Sequence, residues 1–358
     1  MSLHLSYSRH TLQFKFDART SRGAISEHEV YYLKVYNPTD TSLYGIGECA
    51  PLAGLSIDYR PDLEQKIQEV VKLVNEQQVP LDAGRDLPAD LLSLEAWPAL
   101  TFALETALLD LKHGGNRKLY QNSFSQGEAG IPINGLVWMG DIAFMQEQIE
   151  KKLKDGYTCL KLKIGSLNFM TELELLQGIR EVAGPEALTI RVDANGAFSP
   201  QEAFKKLERL AKYELHSIEQ PIKQGQWEEM TQLCKYTPVP IALDEELIGV
   251  RQPQLKEDLL RSINPQFIIL KPTLVGGLAE SAQWIGMAEA RGIGWWLTSA
   301  LESNIGLNAI SQFTAQYNIN MPQGLGTGQL YTNNISSPLK IEQGELWYKP
   351  ELQPWGEV

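Results

Sequence analysis

The segment Arg191-Val-Asp-Ala-Asn-Gly196 decides the fold, because in it an apolar run ends in a carboxylate just where a loop begins. The same arrangement returns at Glu219 and Asp244, and a lysine, Lys271, takes the corresponding place one interval later. Another lysine, Lys163, takes that place one interval earlier. Each interval is about 25 to 30 residues, the length of one β-strand, one α-helix and two short loops. The chain is therefore predicted to repeat a βα unit.

A closed barrel of eight such units brings these positions together. The carboxyl ends of the parallel strands meet at one mouth, so residues distant in sequence form one site. We predict an α/β fold, a modified TIM (β/α) barrel over residues 126–328 with an N-terminal α+β capping domain over residues 1–125. The segment 329–358 is expected to return to the capping domain and complete it with added strands at 339–341 and 346–348.

The N-terminal part of the chain has its own pattern. Strands are predicted over residues 12–16 and 30–36, with a long polar loop between them. Helical spacing follows over 61–75 and 94–112, and strands followed by helices are typical of a small α+β module. The segment Gly45-Ile-Gly-Glu-Cys-Ala50 matches a dinucleotide-binding fingerprint only formally, since no acidic residue opens a second strand, and it is predicted to be a turn.

Within the barrel, seven strands are visible as short apolar runs. The eighth is expected at Gly324-Leu-Gly-Thr-Gly328, where it would close the ring. Two barrel helices are predicted to begin with a capping box, one from Thr171 to Glu174 and one from Ser199 to Glu202.

The bulk composition excludes several classes of function. A net charge of −12 disfavours a nucleic-acid partner, which would require clustered lysine and arginine. The three cysteines are too few and too widely spaced for a disulfide framework or a zinc site. The N-terminus lacks an apolar leader, and no run has the roughly 18 apolar residues of a membrane helix. We expect a cytoplasmic protein without a membrane partner, and the sequence leaves its oligomeric state open.

The three recurring carboxylates indicate a divalent cation. Asp193, Glu219 and Asp244, brought together in a partly buried site, would repel one another unless a cation compensates their charge. Hard oxygen ligands favour Mg²⁺ over zinc, with Mn²⁺ as an alternative ion.

The lysines indicate proton transfer. Lys161 and Lys163 lie two residues apart on a predicted strand and therefore share one face. Two solvated lysines on an edge strand are the alternative, but Leu160 and Leu162 would then pack on helices and leave both lysines in the barrel lumen. Lys271 emerges from an apolar strand and must be paired or near solvent. Lysines on opposite sides of a metal-bound carboxylate suit removal of its α-proton, with the metal stabilising the ene-diolate.

These motifs resemble the enolase superfamily over essentially the whole chain, and within it the muconate-lactonising-enzyme subgroup. The shared features are a capping domain, a Lys-x-Lys strand, three acidic ligands and a lysine on the sixth strand. The mandelate-racemase subgroup, which uses a histidine base, is disfavoured because no histidine falls at a late strand end. The histidines are His4, His10, His28, His113 and His216.

The resemblance implies a role for each site residue. Asp193, Glu219 and Asp244 would bind Mg²⁺, supported by Asn195 and Glu245. Lys163 would remove the α-proton and later protonate the departing hydroxyl. Lys271 would be a fixed cation across the substrate, and Lys161 would lower the pKa of Lys163. The implied contacts to substrate come from Ser299, Asn134, Leu301 and Gly326, under a lid formed by residues 17–28 and 52–56.

The activity implied by this resemblance is that of a carbon–oxygen lyase acting on a small-molecule carboxylate. The expected reaction is a syn dehydration of a succinyl-bearing cyclohexadiene carboxylate in menaquinone synthesis. The alternative is racemisation of N-acylamino acids, which uses the same two lysines. A non-catalytic binding barrel would require broken ligands or lysines, and all six are intact. Dipeptide epimerases of this subgroup carry Asp-x-Asp at the eighth strand, whereas this chain has Gly326-Thr-Gly328.

Overall fold

A computed structural model describes residues 3–20, 23–84, 86–165 and 167–358 of the chain. Its strands are β1 (His4–Thr20), β2 (Gly23–Asn37), β3 (Asp40–Cys49), β4 (Ile131–Pro132), β5 (Gly135–Val137), β6 (Cys159–Lys163), β7 (Thr189–Asp193), β8 (Ser217–Glu219), β9 (Ile241–Leu243), β10 (Phe267–Leu270), β11 (Gly294–Leu297), β12 (Leu339–Glu342) and β13 (Glu345–Tyr348).

The helices comprise two that precede β4 and others that follow the parallel strands from β5 onwards. They are α1 (Leu63–Asn75), α2 (Pro98–Lys112), α3 (Ile142–Lys154), α4 (Phe169–Val182), α5 (Pro200–Leu210), α6 (Trp227–Tyr236), α7 (Pro253–Ile263), α8 (Pro272–Val275), α9 (Leu278–Glu289) and α10 (Asn304–Thr314), with 3₁₀ turns at Ala211–Tyr213 and Glu245–Leu247. No helix in the described parts of the chain has the length and apolarity needed to cross a membrane.

The seven strands β5 to β11 form a parallel sheet in sequence order. The ring is closed by Gln323 and Gly324. The carbonyl of Gln323 accepts from the N–H of Asn134, the residue before β5, at 2.9 Å on one edge, and the N–H of Gly324 donates to the carbonyl of Leu297 at 2.8 Å on the other. The predicted barrel is confirmed, and its closing contacts begin one residue before the predicted eighth strand.

The N-terminal sheet has the antiparallel order β1-β2-β3. The predicted polar loop over residues 17–28 is wrong in part, because Ala18 pairs with Ile25 and the hairpin continues to Thr20 and Gly23. Residues 21 and 22 of that prediction lie outside the described residues. Backbone hydrogen bonds between paired strands form whatever the side chains are. The strands therefore continue through a segment that has no alternation of apolar residues.

The predicted turn over residues 45–50 is also wrong, because this segment belongs to β3. Its glycines permit α2 to lie directly against the strand. A Cβ atom at Gly45 would be 2.0 Å from the carbonyl oxygen of Ala107, and one at Gly47 would be 1.9 Å from that of Ala103. The fingerprint-like spacing therefore reflects close packing between helix and strand.

The predicted tail strands form, but they do not join the N-terminal sheet. β12 and β13 pair with each other, and β13 pairs with β4 at the start of the barrel. The tail reaches β1 through an earlier segment, where the N–H of Thr332 donates to the carbonyl of Gln13 at 2.9 Å. The domain boundaries at residues 125 and 328 stay predictions.

One of the two predicted helix starts is correct. At α5 the N–H of Ser199 donates to Glu202 Oε1 at 3.4 Å, which completes the capping box. The start predicted at Thr171 is wrong, because α4 begins at Phe169 and Asn168 Oδ1 accepts from the N–H of Met170 at 2.9 Å. An asparagine is as good a cap as threonine, so the earlier cap position is used.

Candidate active site

The five residues of the recurring pattern lie at five consecutive strand ends. Lys163 on β6 pairs in register with Asp193 on β7, and Asp193 pairs with Glu219 on β8. Asp244 directly follows β9, and Lys271 directly follows β10. Because the strands are parallel and adjacent, all five side chains belong to the same mouth of the barrel.

Each carboxylate is in contact with at least one lysine. Lys163 Nζ lies 2.7 Å from Asp193 Oδ2, and Lys161 Nζ lies 3.1 Å from the same oxygen. Lys161 also contacts Glu219, and Lys271 contacts Asp244 while lying 3.9 Å from Glu219 Oε1. Both Lys161 and Lys163 therefore face the lumen, which follows from their spacing of two along a strand.

Asn195 connects this ion-pair cluster to Glu245. Its Oδ1 accepts from Lys163 Nζ at 2.9 Å, and its Nδ2 donates to Glu245 Oε1 at 3.0 Å. Its own N–H donates to Asp193 Oδ1 at 3.0 Å, and its backbone is left-handed with φ of 43°. Asparagine tolerates this conformation better than most residues, so the sequence fits the turn that aims the amide at Lys163.

The buried charges shift one another's protonation. Burial acts to raise the pKa of Asp193, but the positive charges of Lys161 and Lys163 outweigh it, so that pKa falls well below its usual range. Burial raises the pKa of Glu219 to about 8, and the negative charge of Asp193 adds to this shift. Burial acts to lower the pKa of Lys161, but Asp193 and Glu219 outweigh it and the pKa is raised.

The residues predicted to bind metal supply hard oxygen donors. Neither oxygen of Glu219 makes a well-formed hydrogen bond, although its side chain is buried against Lys161. Across the ranges that the structure describes, no three His, Cys, Asp or Glu side chains lie close enough together to hold a metal ion. Lysine ammonium groups lie among the three carboxylates and supply the positive charge that these acids require. The three carboxylates have the donor chemistry of a divalent-cation site, but in this structure each of them is paired with a lysine.

A cavity of about 120 Å³ opens above these charges. The residues predicted to contact substrate, Ser299, Asn134, Leu301 and Gly326, all line it. Its remaining lining residues include Lys161, Lys163, Lys271, Leu52, Leu55, Leu136, Trp138, Thr327 and Leu330. Of the predicted lid, Leu52 and Leu55 reach the cavity, whereas no described residue between 17 and 28 does so. The cavity is thus lined by both charged and apolar side chains.

A buried carboxylate that the sequence reasoning missed organises one wall of this cavity. Glu302, fully buried, accepts from Ser299 Oγ at 2.6 Å, from Thr273 Oγ1 at 2.5 Å and from the N–H of Ala300 at 2.8 Å. Ser299 Oγ in turn accepts from Thr327 Oγ1 at 2.7 Å. The sequence could have indicated this contact, because Glu302 lies three residues after Ser299, a serine just past the end of a strand. With its proton directed at Glu302, Ser299 has none left to donate to a substrate.

Comparisons with known proteins agree with this architecture. The sequence matches the family model described as enolase C-terminal domain-like over residues 144–351. It is 48% identical to the o-succinylbenzoate synthase of Desulfotalea psychrophila, over 96% of this chain and 98% of that protein. It is 30% identical to the N-succinylamino acid racemase of Thermus thermophilus, over 82% of this chain and 77% of that protein.

A solved structure extends the similarity to three dimensions. The crystal structure of MenC from Desulfotalea psychrophila LSv54 has a TM-score of 0.85 to this chain at 44% sequence identity. The match covers 97% of this chain and 100% of that one, so it includes the N-terminal sheet as well as the barrel.

Proposed function

The chain belongs to the enolase C-terminal domain-like family, and on that premise we propose that it dehydrates 2-succinyl-6-hydroxy-2,4-cyclohexadiene-1-carboxylate to o-succinylbenzoate. This is a hydro-lyase reaction of menaquinone biosynthesis. The observation that carries the proposal is the 48% identity to an o-succinylbenzoate synthase, and the placement of the lysines supports the proton chemistry. Lys163 is the last residue of β6, and Lys271 directly follows β10. These two strands lie four positions apart in a ring of eight. The two lysines approach a substrate at the mouth from opposite sides.

The proton transfers are assigned to Lys163. Its amine takes the α-proton of the substrate, and its ammonium then returns a proton to the departing hydroxyl, so that water leaves as the ring becomes aromatic. Both transfers occur on one face of the ring, which a single side chain can serve. Asn195 Oδ1 and Asp193 Oδ2 accept from Lys163 Nζ and hold it in place between the two events.

Lys271 and Lys161 are assigned electrostatic roles. Lys271, buried beside Asp244, presents a fixed positive charge to the side of the substrate opposite Lys163. A fixed charge in a water-poor site stabilises developing negative charge strongly because it needs no reorganisation. Lys161 lies between Asp193 and Glu219 and keeps both acids in one place.

We infer that Asp193, Glu219 and Asp244 hold Mg²⁺, with Mn²⁺ as an alternative, and that Asn195 and Glu245 orient them. When bound, the metal supplies the positive charge that makes removal of a proton next to a carboxylate feasible. The buried oxygens of Glu219 without well-formed hydrogen bonds support this assignment.

The cavity supports an anionic substrate. Among the described residues that line it, four are lysines and none is a carboxylate. Gly326 and Gly328 stand where dipeptide epimerases of the subgroup carry acids, so a free α-ammonium would lose its hydration there without gaining a partner, which disfavours dipeptides. A substrate with two carboxylates suits these lysines, and the leucines and Trp138 of the lining suit its hydrocarbon ring.

Racemisation of N-succinylamino acids is the second candidate. The same two lysines would serve it, one on each side of the α-carbon, and the similarity to the Thermus thermophilus racemase favours it. The substrate would again be an anion with a succinyl group.

We place the enzyme in the cytoplasm, because its three cysteines are buried and unpaired, as in a reducing compartment.

A panel of substrates tests the proposal. The purified protein is assayed with the hydroxycyclohexadiene carboxylate, with N-succinylphenylalanine and with a dipeptide, each with Mg²⁺ and with excess EDTA. We expect Mg²⁺-dependent dehydration to be the fastest reaction and the dipeptide to be nearly inert. Rapid epimerisation of the dipeptide without dehydration would overturn the proposal, and dehydration in EDTA would refute the metal assignment.

A further inference from the structure

A buried histidine of the N-terminal sheet joins two walls of the cavity. His28, on β2, is 4% exposed, and each of its ring nitrogens faces a carbonyl oxygen. Nδ1 lies 3.0 Å from the oxygen of Leu301, and Nε2 lies 3.2 Å from that of Pro51. Leu301 lines the cavity, and so does Leu52, the residue after Pro51. The imidazole therefore spans the gap between the segment at Pro51 and the loop after β11.

The wall on the Leu301 side has an unusual backbone. Leu301 is left-handed with φ of 67°, a conformation that a leucine rarely adopts. Hydrogen bonds to its N–H and to its carbonyl hold Leu301 in this conformation. Its N–H donates to Ser299 Oγ at 3.1 Å, and its carbonyl accepts from Tyr331 Oη at 2.5 Å in addition to the contact with His28. Such strain persists only where the surroundings fix it, and it clusters at functional sites.

The neutral ring of His28 can donate only one hydrogen bond, although two carbonyl oxygens face it. A carbonyl oxygen can only accept a hydrogen bond, and a neutral imidazole has a single N–H. Burial lowers the pKa of His28, which favours the neutral form. The ring can therefore donate to Pro51 or to Leu301 at a given moment, but not to both. Tyr331 stays on the Leu301 carbonyl in either case.

We propose that His28 is a positioning residue that sets the separation of the Pro51–Leu52 segment from the Leu301 loop, and so determines which apolar group the cavity accepts. The inference rests on the proposed function. Leu52 and Leu301 are apolar, lie on different chain segments and both line the cavity, so the width between them limits the bulk of the apolar group that the cavity takes. In the cyclohexadiene the reacting carbon is part of the ring, whereas N-succinylphenylalanine carries a whole benzyl side chain on that carbon and needs more room.

Three variants separate this role from simple folding. His28→Leu removes both polar contacts, and His28→Gln keeps one donor. Tyr331→Phe is the matched control, because it removes the other donor to the Leu301 carbonyl and keeps the aromatic packing on Phe14, at 4.6 Å between ring centroids. We expect His28→Leu to raise KM for the cyclohexadiene about tenfold with kcat changed less than threefold, as for loss of one hydrogen bond. Tyr331→Phe should raise KM less than threefold.

The substrate ratio is the readout that a merely structural residue would not move. In His28→Leu the kcat/KM of dehydration relative to racemisation of N-succinylphenylalanine should fall at least fivefold. The ¹⁵N shifts of the labelled histidine ring should show one protonated nitrogen in the wild type. A doubly protonated ring at neutral pH would overturn the single-donor argument.

The inference is overturned if His28→Leu, folded with a wild-type unfolding midpoint, keeps KM and the substrate ratio within twofold of the wild type. A lower midpoint with unchanged KM and ratio would also overturn it. Should His28→Leu fail to fold, His28→Phe, which keeps a ring and has no donor, is judged by the same criteria. If the wild type does not dehydrate the cyclohexadiene, the proposed function alone fails. His28 is then tested on racemisation, where a KM effect without a kcat effect is again expected and its absence refutes the assignment.

Discussion

The carboxyl of Glu48 joins the N-terminal sheet to the barrel, and replacing it by glutamine should change how stability depends on pH. Glu48 lies on β3, fully buried, and accepts three hydrogen bonds at the start of α10. The donors are the N–H of Ser303 at 2.7 Å, Ser303 Oγ at 2.6 Å and the N–H of Gly306 at 2.7 Å. Burial nevertheless raises the pKa of Glu48 to about 7, and the nearby charge of Glu302 adds to the shift.

The sign of the effect follows from the raised pKa. Between the ordinary value of 4.5 and the folded value of about 7, the folded protein keeps a proton that the unfolded chain has released. The contribution of Glu48 to stability is therefore fully present below pH 4.5 and is lost as the pH rises through 7. From pH 5 to pH 8 the loss is on the order of 2 to 3 kcal/mol, at about 1.4 kcal/mol for each pKa unit.

Glu48→Gln removes this titration. The free energy of unfolding of the variant, relative to wild type, should rise by on the order of 2 to 3 kcal/mol between pH 5 and pH 8. The measurement is urea denaturation followed by circular dichroism at both pH values, in EDTA so that metal binding adds nothing. The exposed Glu208 supplies the control, Glu208→Gln, which removes a charge from solvent rather than from the interior. The reasoning is refuted if the free energies of unfolding of wild type and Glu48→Gln differ by the same amount at pH 5 and pH 8, to within about 0.5 kcal/mol.

Three further predictions concern the metal, the lysines and the packing of β3. Asp244→Asn should abolish turnover and weaken Mg²⁺ binding in calorimetry without altering the circular dichroism spectrum, because an amide is a poorer ligand for a hard cation; unchanged Mg²⁺ affinity would contradict the ligand assignment. Lys163→Ala should remove all measurable dehydration. Lys271→Arg should retain more activity than Lys271→Ala in steady-state assays, because only arginine keeps the fixed positive charge. Equal losses of activity in the two variants at position 271 would indicate that Lys271 itself moves a proton. Gly47→Ala should cost about 3 kcal/mol or more in urea denaturation, since its Cβ would be 1.9 Å from the carbonyl oxygen of Ala103. Its control is Gly178→Ala in α4, where nothing lies within 4 Å, and a gain of about 0.5 to 1 kcal/mol is expected there; similar effects of the two substitutions would argue against the close packing.

The sequence by itself determined the barrel and the composition of its mouth. Strand length, helix length and the position of a residue at a strand end are properties of one short stretch of chain. A repeat of that stretch therefore reveals both the fold and the convergence of Lys163, Asp193, Glu219, Asp244 and Lys271. The lumen-facing placement of Lys161 follows from the same local rule, because side chains alternate along a strand.

Tertiary structure alone decided which distant segments meet. β13 could have joined either sheet, and it pairs with β4 rather than with the N-terminal strands. The segment 45–50 contains turn-forming glycines, and only the approach of α2 explains why they lie in a strand. In both cases the local pattern permits more than one outcome.

His28 and Glu302 show the physical reason most clearly. The partners of His28 lie 23 and 273 residues away, and Glu302 connects loops that follow different barrel strands. A buried polar group is stabilised by whichever donors and acceptors the folded chain brings to it, and nothing in its own neighbourhood of sequence encodes their identity. Periodicity along the chain fixed the site's charges, whereas only the packing of the N-terminal part against the barrel brings Leu52 and Leu55 into the wall of the cavity around them.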